Sequence, residues 1–485
     1  MRDKISQISQ QIIMSLLLLA TVALVVAAIT VRRLVIQPLL ASRASRVPCA
    51  HPSAALSSFW IRRQRKENRE CKTIHAAHQK HGPVVRLAPD EISVASLDGL
   101  RIIYTGGFEK DEWYEAVFMN YDTPNLVSML EHKPHSIQKR MISHVYSKSY
   151  LQSSPDYSAL CAILAQERLL PHLRKAATNR EDVNILDLAS AAGADYMAAY
   201  LFGTANGTDY LRDTAARNHY FSNNFLKMRG LPGCEAAAKE IENVVLELCR
   251  RTESYMDSTT PEKSTSTNPV VYARLASNLT SANPTLSPDA KLIHVASEML
   301  DHFLAGHETS AITTTYAVWE LSRRPEYQTR LREELRTTLA VPLTPQSTTL
   351  PSPQDLDSLP LLDAILRETL RLYAAVPAPQ PRVTPKAEPE TDGVFIDGFG
   401  PIPGGTRISA SAYVLHRNED VYKDSGRWIP ERWLDADEDQ AAQMRKWFWA
   451  FGSGGRMCIG SNFALQSKLQ YRSISLLLQL LVFVV

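Results

Sequence analysis

None of the six cysteines, at positions 49, 71, 161, 234, 249 and 458, sits in a Cys-x-x-Cys pair or at zinc-finger spacing. This excludes a disulfide framework or structural zinc site that could be read from spacing, and the six read as reduced thiols of a cytosol-facing protein. Net charge is equally scarce. The 53 basic and 51 acidic residues leave +2, without the basic surplus that a nucleic-acid partner would call for. There is no glycine-rich nucleotide fingerprint and no internal repeat, so the chain holds no dinucleotide of its own and is not a solenoid. What is present is an ordinary globular composition, 45% hydrophobic and 21% charged over 485 residues, enough for one large core or two modest ones.

The N-terminus departs from that composition. Residues 12–31 carry no charge and are interrupted only by Ser15, Thr21 and Thr30. At about 1.5 Å per residue such a helix spans about 30 Å, the bilayer core. Arg32, Arg33, Arg43 and Arg46 follow it, whereas Arg2 and Lys4 precede it with Asp3 between them. That bias predicts a single-pass anchor over 12–33, with 1–11 luminal and the downstream chain in the cytosol. A cleaved signal is the alternative, and arginines directly behind so long a run fit an anchor better. Residues 34–80 read as a tether and irregular lead-in carrying Arg62, Arg63, Arg65 and Lys66, a cluster that suits either lipid head groups or a solvated helix face. Two short strands are predicted in Val84-Val85-Arg86-Leu87-Ala88-Pro89 and Glu91-Ile92-Ser93-Val94-Ala95. The stretches 257–285 and 341–358, rich in Ser, Thr and Pro, read as loops. Ser287-Pro288-Asp289 announces a long helix, with a capping serine, proline at the first turn and a carboxylate at the positive end.

Near the other end lies Phe451-Gly452-Ser453-Gly454-Gly455-Arg456-Met457-Cys458-Ile459-Gly460. Taken alone, Cys458 is either a small buried hydrophobe in a turn or a thiolate presented to a metal by a loop with backbone room and N–H groups to spare. The pattern Phe-x-x-Gly-x-Arg-x-Cys-x-Gly resembles the cytochrome P450 family, the haem-thiolate monooxygenases, and the resemblance covers nearly everything after residue 80. It implies a mainly α fold with small β-sheets, a long central helix over the haem, and a catalytic domain over 81–485. It also implies haem b held by the Cys458 thiolate, with Phe451 in the ligand loop and Arg456, Arg382, His135 and Arg140 as cations or donors for the propionates. In the His135 segment the family position four residues on is Lys139 here, with Arg140 next to it. Lysine is the poorer fork for a carboxylate.

Within the long helix, Ala305-Gly306-His307-Glu308-Thr309 combines small residues with a hydroxyl and an acid. A mid-helix glycine costs about 1 kcal/mol relative to alanine. Either Gly306 packs closely on a neighbour beside a back-bonding Thr309 or, as the resemblance implies, the small pair leaves room for bound O2 while Glu308 and Thr309 supply protons. His307 occupies the variable position of that motif, so no ligand role is expected of it. Glu368 and Arg371, three apart on one helix, resemble the family's buried ion pair, with Arg432 in Pro430-Glu431-Arg432-Trp433 as third member.

The implied activity is insertion of one oxygen atom of O2 into an apolar small molecule, at the endoplasmic reticulum membrane. Electrons would come from a separate NADPH-dependent flavoprotein reductase, and the wording of the first strand is closest to fungal members, which suggests secondary metabolism. The rivals are a rearrangement or dehydration enzyme of the same fold, which the Glu308-Thr309 pair argues against, and a haem-binding but inactive chain. The latter arises because residues 475–485 form an uncharged apolar end where the family continues into a further strand pair, so a C-terminus cut short is expected.

Overall fold

A computed structural model describes residues 2–33, 47–258, 268–339, 351–386 and 393–466. The apolar end at 475–485 and the tether residues 34–46 lie outside them. The secondary structure is mostly helical with two small sheets.

The chain divides into two compact units, Met1–Phe108 with Ala378–Val414, and Glu109–Pro377 with Leu415–Val485. In the first unit, α1 (Arg2–Val31) contains the stretch Met14–Val31, of mean hydropathy 2.6 and wholly unburied, long and apolar enough to cross a membrane. The lead-in read as irregular contains two helices, α2 (Phe59–Lys66) and α3 (Glu70–His81). Their basic residues hid an amphipathic pattern in which Ile61 and Ile74 are fully buried against Val85 and Leu87. Strands β1 (Val84–Ala88) and β2 (Glu91–Val94) pair antiparallel with Val84 opposite Val94. β3 (Pro379–Val383) and β6 (Arg407–Ser411) continue the sheet in the order β1-β2-β6-β3, β2 running parallel and β3 antiparallel to β6. The hairpin of β4 (Val394–Ile396) and β5 (Phe399–Ile402) turns at Asp397-Gly398, both at positive φ (50° and 77°), the backbone that a tight two-residue hairpin requires.

The second unit carries the helices α4 (His132–Ile142), α5 (Ile185–Phe202), α6 (Thr214–Arg229), α7 (Cys234–Ser258) and α8 (Val270–Ala282). They are followed by α9 (Pro288–Ser322), α10 (Pro325–Thr338), α11 (Pro360–Leu372), α12 (Glu431–Leu434) and α13 (Ser461–Gln466). α9 begins as its sequence predicts, the Ser287 hydroxyl accepting from the Ala290 N–H with Pro288 in the first turn. α8 overturns the loop reading of 257–285. Its Ser, Thr and Asn residues masked an apolar face in which Val271, Leu275 and Leu279 are buried. Within 341–358 a single-turn helix, Pro353–Asp357, opens with a Ser352/Asp355 capping box. One continuous core, including Met197, Tyr200, Met299, Phe303, Ile365 and Phe463, runs through this unit.

Candidate active site around Cys458

The loop before α13 is shaped by two left-handed glycines, Gly452 and Gly454, both at φ 71°. The Cys458 N–H donates to the Phe451 carbonyl at 3.0 Å and closes it, which is the part Phe451 plays. From α4, the Lys139 ammonium donates to the carbonyls of Gly455 (3.0 Å) and Met457 (2.8 Å). The Cys458 side chain is open to solvent, yet protein surrounds it closely enough that burial raises its thiol above the ordinary cysteine value. The Gly460 N–H and Lys139 act in the opposite sense.

The buried Arg456 guanidinium donates to the carbonyls of Met129 (2.7 Å) and Leu130 and to the Glu109 carboxylate (3.1 Å). His135 is buried and neutral, pushed down to about 3 by burial first and then by Arg456, Lys110, Lys139 and His132. Lys139 and not Arg140 joins this group. Residues i and i+4 share a helix face, so Lys139 lies over His135, while Arg140 turns about 100° further and is exposed. Arg382 belongs to the first unit, on β3, buried with its guanidinium 5.0 Å from the centre of the Tyr104 ring.

Glu368 and Arg371 on α11 are both fully buried and meet through two parallel bonds, Nη2 to Oε1 at 2.7 Å and Nε to Oε2 at 2.8 Å. Arg432 Nε adds a third contact to Glu368 Oε1 at 3.0 Å. The Ile429 N–H and the Trp433 indole complete the carboxylate's partners, and Arg371 also donates to the carbonyls of His416, Ser425 and Arg427. His416 was not foreseen. Its Nδ1–H donates to the Arg371 carbonyl (2.9 Å), which can only accept, so Nε2 accepts from the Trp449 N–H (2.8 Å) at the root of the cysteine loop. Burial and the nearby Arg371 hold this imidazole neutral, pushed down to about 3.

On α9 the glycine packs closely on a neighbouring helix. Gly306 faces α5, where a Cβ would lie 2.4 Å from Met197 Sδ, and Gly193 on α5 faces His307 in turn, with a Cβ 3.2 Å from its carbonyl oxygen. Close helix packing thus gives the glycine a structural basis, its missing side chain facing Met197 rather than the open face. That face belongs to Ala305, which is exposed, and to Thr309, whose hydroxyl donates to the Ala305 carbonyl at 2.7 Å. Glu308 accepts from the Asn224 amide of α6. One turn earlier lies a buried cluster without a sequence signature. Glu298 Oε1 is 3.1 Å from His302 Nε2, the Tyr146 hydroxyl bonds His302 Nδ1, and burial pushes Asp301 up to about 7.

Residues 51–477 match the family model described as Cytochrome P450. The chain belongs to the cytochrome P450 family. It is 30% identical over 409 residues to cytochrome P450 monooxygenase avaI of Aspergillus versicolor, covering 81% of this chain and 95% of that protein. It is 26% identical over 420 residues to monooxygenase ORF9 of Penicillium roqueforti (84% and 77%), and 26% identical over 439 residues to gsfF of Penicillium aethiopicum (83% and 81%). This P450 is accordingly a haem-thiolate monooxygenase by class, and a cysteine axial ligand is the family's hallmark.

The residues at Cys458 fit that group. Left to the protein alone burial favours the protonated sulfur, and iron is the cation that would deprotonate it, with the Gly460 N–H bond and the nearby Lys139 charge favouring the thiolate. Burial first keeps His135 neutral, and the cations that add to it likewise suit a carboxylate.

Two expected outcomes arise here. Gly306→Ala gains about 1 kcal/mol of helix propensity, whereas overpacking against Met197 costs about 1 to 3 kcal/mol, so the urea midpoint should fall; a rise would refute the packing account. Acid should also destabilise this P450. His78, His135 and His416 sit at about 4, 3 and 3, below the unfolded value of 6.5, so the unfolded chain takes up protons first and stability drops as pH falls from 6.5 towards 4. Asp301, raised to about 7, opposes one of the three. The net slope is about 3 kcal/mol per pH unit, readable as urea midpoints between pH 6.5 and 4.5.

Proposed function

We propose that this P450 is a membrane-anchored enzyme that inserts one oxygen atom of O2 into an apolar small molecule of fungal secondary metabolism. An NADPH-dependent flavoprotein reductase would supply the electrons. The observation that carries this reading is the accessible Cys458 thiol, ringed by a directed N–H and a lysine in the loop where the family has its ligand. Haem held there supplies O2 binding and cleavage of the O–O bond.

The remaining roles fall to the protein. Lys139 fixes the loop through two carbonyls, and the neighbourhood of His135 and Arg456 holds a propionate. Ala305 leaves the open face of α9 clear, and Glu308 with Thr309 holds and passes protons. α1 would hold the chain in the endoplasmic reticulum membrane, with 1–11 luminal and the catalytic part in the cytosol, as the arginines at 32 and 33 favour.

Two measurements test the proposal on the full chain in detergent or vesicles. Reduced protein under carbon monoxide should give the thiolate-haem spectrum, and NADPH with a reductase should drive oxygenation of an apolar substrate panel. A normal spectrum with turnover independent of NADPH would establish the rearrangement reading in its place. A normal spectrum without any turnover would establish the inactive one.

A further inference from the structure

Glu298, Asp301 and His302 stand at i, i+3 and i+4 on α9, so their side chains share one face of the helix. All three are more than nine-tenths buried, and one donor atom from each lies within 4.8 Å of the other two. Two of these atoms, Glu298 Oε1 and His302 Nε2, are enclosed and 3.1 Å apart, yet neither has a hydrogen-bond partner, each other included. Their separation would allow a bond, but the direction of the ring nitrogen does not.

The rest of both side chains is committed. Glu298 Oε2 accepts from the Leu126 N–H (3.2 Å) and the Gln138 amide (3.3 Å), and His302 Nδ1 lies 2.8 Å from the Tyr146 hydroxyl. A proton on Nε2 that misses the carboxylate would leave both atoms carrying their desolvation cost. A cation bound to both removes it. An ion about 2.1 Å from each of two donors 3.1 Å apart sees them at about 95°, within the range of zinc coordination. Asp301 supplies a third donor. Burial pushes it up to about 7, and neither Lys227 nor Lys110, which donates to the Leu126 and Val127 carbonyls, restores the ordinary carboxylate range.

We propose that Glu298, Asp301 and His302 bind a divalent cation of the zinc type, separate from any iron at Cys458, with Tyr146 as the positioning residue. One imidazole and two carboxylates without a thiolate suit Zn2+, whereas Ca2+ and Mg2+ favour all-oxygen shells. With the ion on Nε2, Nδ1 keeps its hydrogen and donates it to the Tyr146 oxygen, which fixes the ring. Through Glu298 the ion ties α9 to the Leu126 segment and to α4. None of this depends on the oxygenation reading.

The test uses the full-length haem-loaded protein in detergent, stripped with a chelator and then given chelator-buffered zinc. Wild type should retain about one zinc per chain through gel filtration, and saturating zinc should raise its thermal midpoint by about 3 °C. Glu298→Gln and His302→Gln should each retain at least about tenfold less. Wild type without retained zinc or a midpoint shift overturns the site, and so do folded variants that hold as much zinc as wild type, which would place the metal elsewhere. Should both variants fail to fold, Tyr146→Phe keeps all three ligands and should weaken zinc about tenfold, unchanged affinity overturning the proposal. Zinc content and not turnover is the readout, so the result stands even where the proposed activity fails.

Discussion

Cys458→Ala should yield protein without the thiolate-haem spectrum under carbon monoxide and with oxygenation reduced to background. No other cysteine can substitute. Cys161 and Cys249 are buried in the apolar core, and Cys49, Cys71 and Cys234 lie on segments remote in sequence from the glycine loop. The loop should survive the change, since it closes through the Cys458 backbone N–H and through Lys139, neither of which needs the sulfur. A near-native urea midpoint of the haem-free variant would therefore accompany the total loss of signal. Cys458→Ser tests the same point more strictly, because it keeps the size of the side chain and removes only the soft, anionic donor. A surviving thiolate-type spectrum in either variant would place the ligand elsewhere.

The second large effect is expected at Glu368. Glu368→Ala strands the Arg371 guanidinium, fully buried, with carbonyl partners but no counter-charge, and frees Arg432, the Ile429 N–H and the Trp433 indole at once. Removing one side of a buried pair typically costs about 3 to 5 kcal/mol. For a protein of ordinary marginal stability that is a large share of the total. Arg371→Ala should cost as much, since it leaves the carboxylate unpaired and also loses three carbonyl contacts. Both variants should be recovered, if at all, with little haem; normal haem content in either would show that the network is dispensable. Arg432→Ala should be milder, because that side chain lies at the rim of the cluster and Glu368 keeps Arg371.

Local patterns made part of this legible. The Ser287 cap, the glycine-flanked cysteine and the Glu-x-x-Arg pair are each written within a few residues, where backbone geometry leaves few alternatives. His416 was not, since its two partners are 45 and 33 residues away and no spacing rule connects them. Lys139 was in view, but its carbonyl partners across the cysteine loop were set by tertiary packing. Composition misled at α8, where Ser, Thr and Asn outvoted an apolar stripe four residues in period. At Gly306 the sequence allowed two explanations, and the position of Met197, which no local pattern announces, supports the packing one.

The mutual seating of Gly306 and Gly193 bears on how such an enzyme can change its substrate. α9 is wedged against α5 by two contacts that leave no slack, so the open face bearing Ala305 and Thr309 is a rigid wall with a fixed standoff. Adaptation to a new molecule then has to come from the walls that are not wedged. Relatives that share the seating should differ in what they oxidise through other segments, with the spacing of the α5–α9 pair held constant among them.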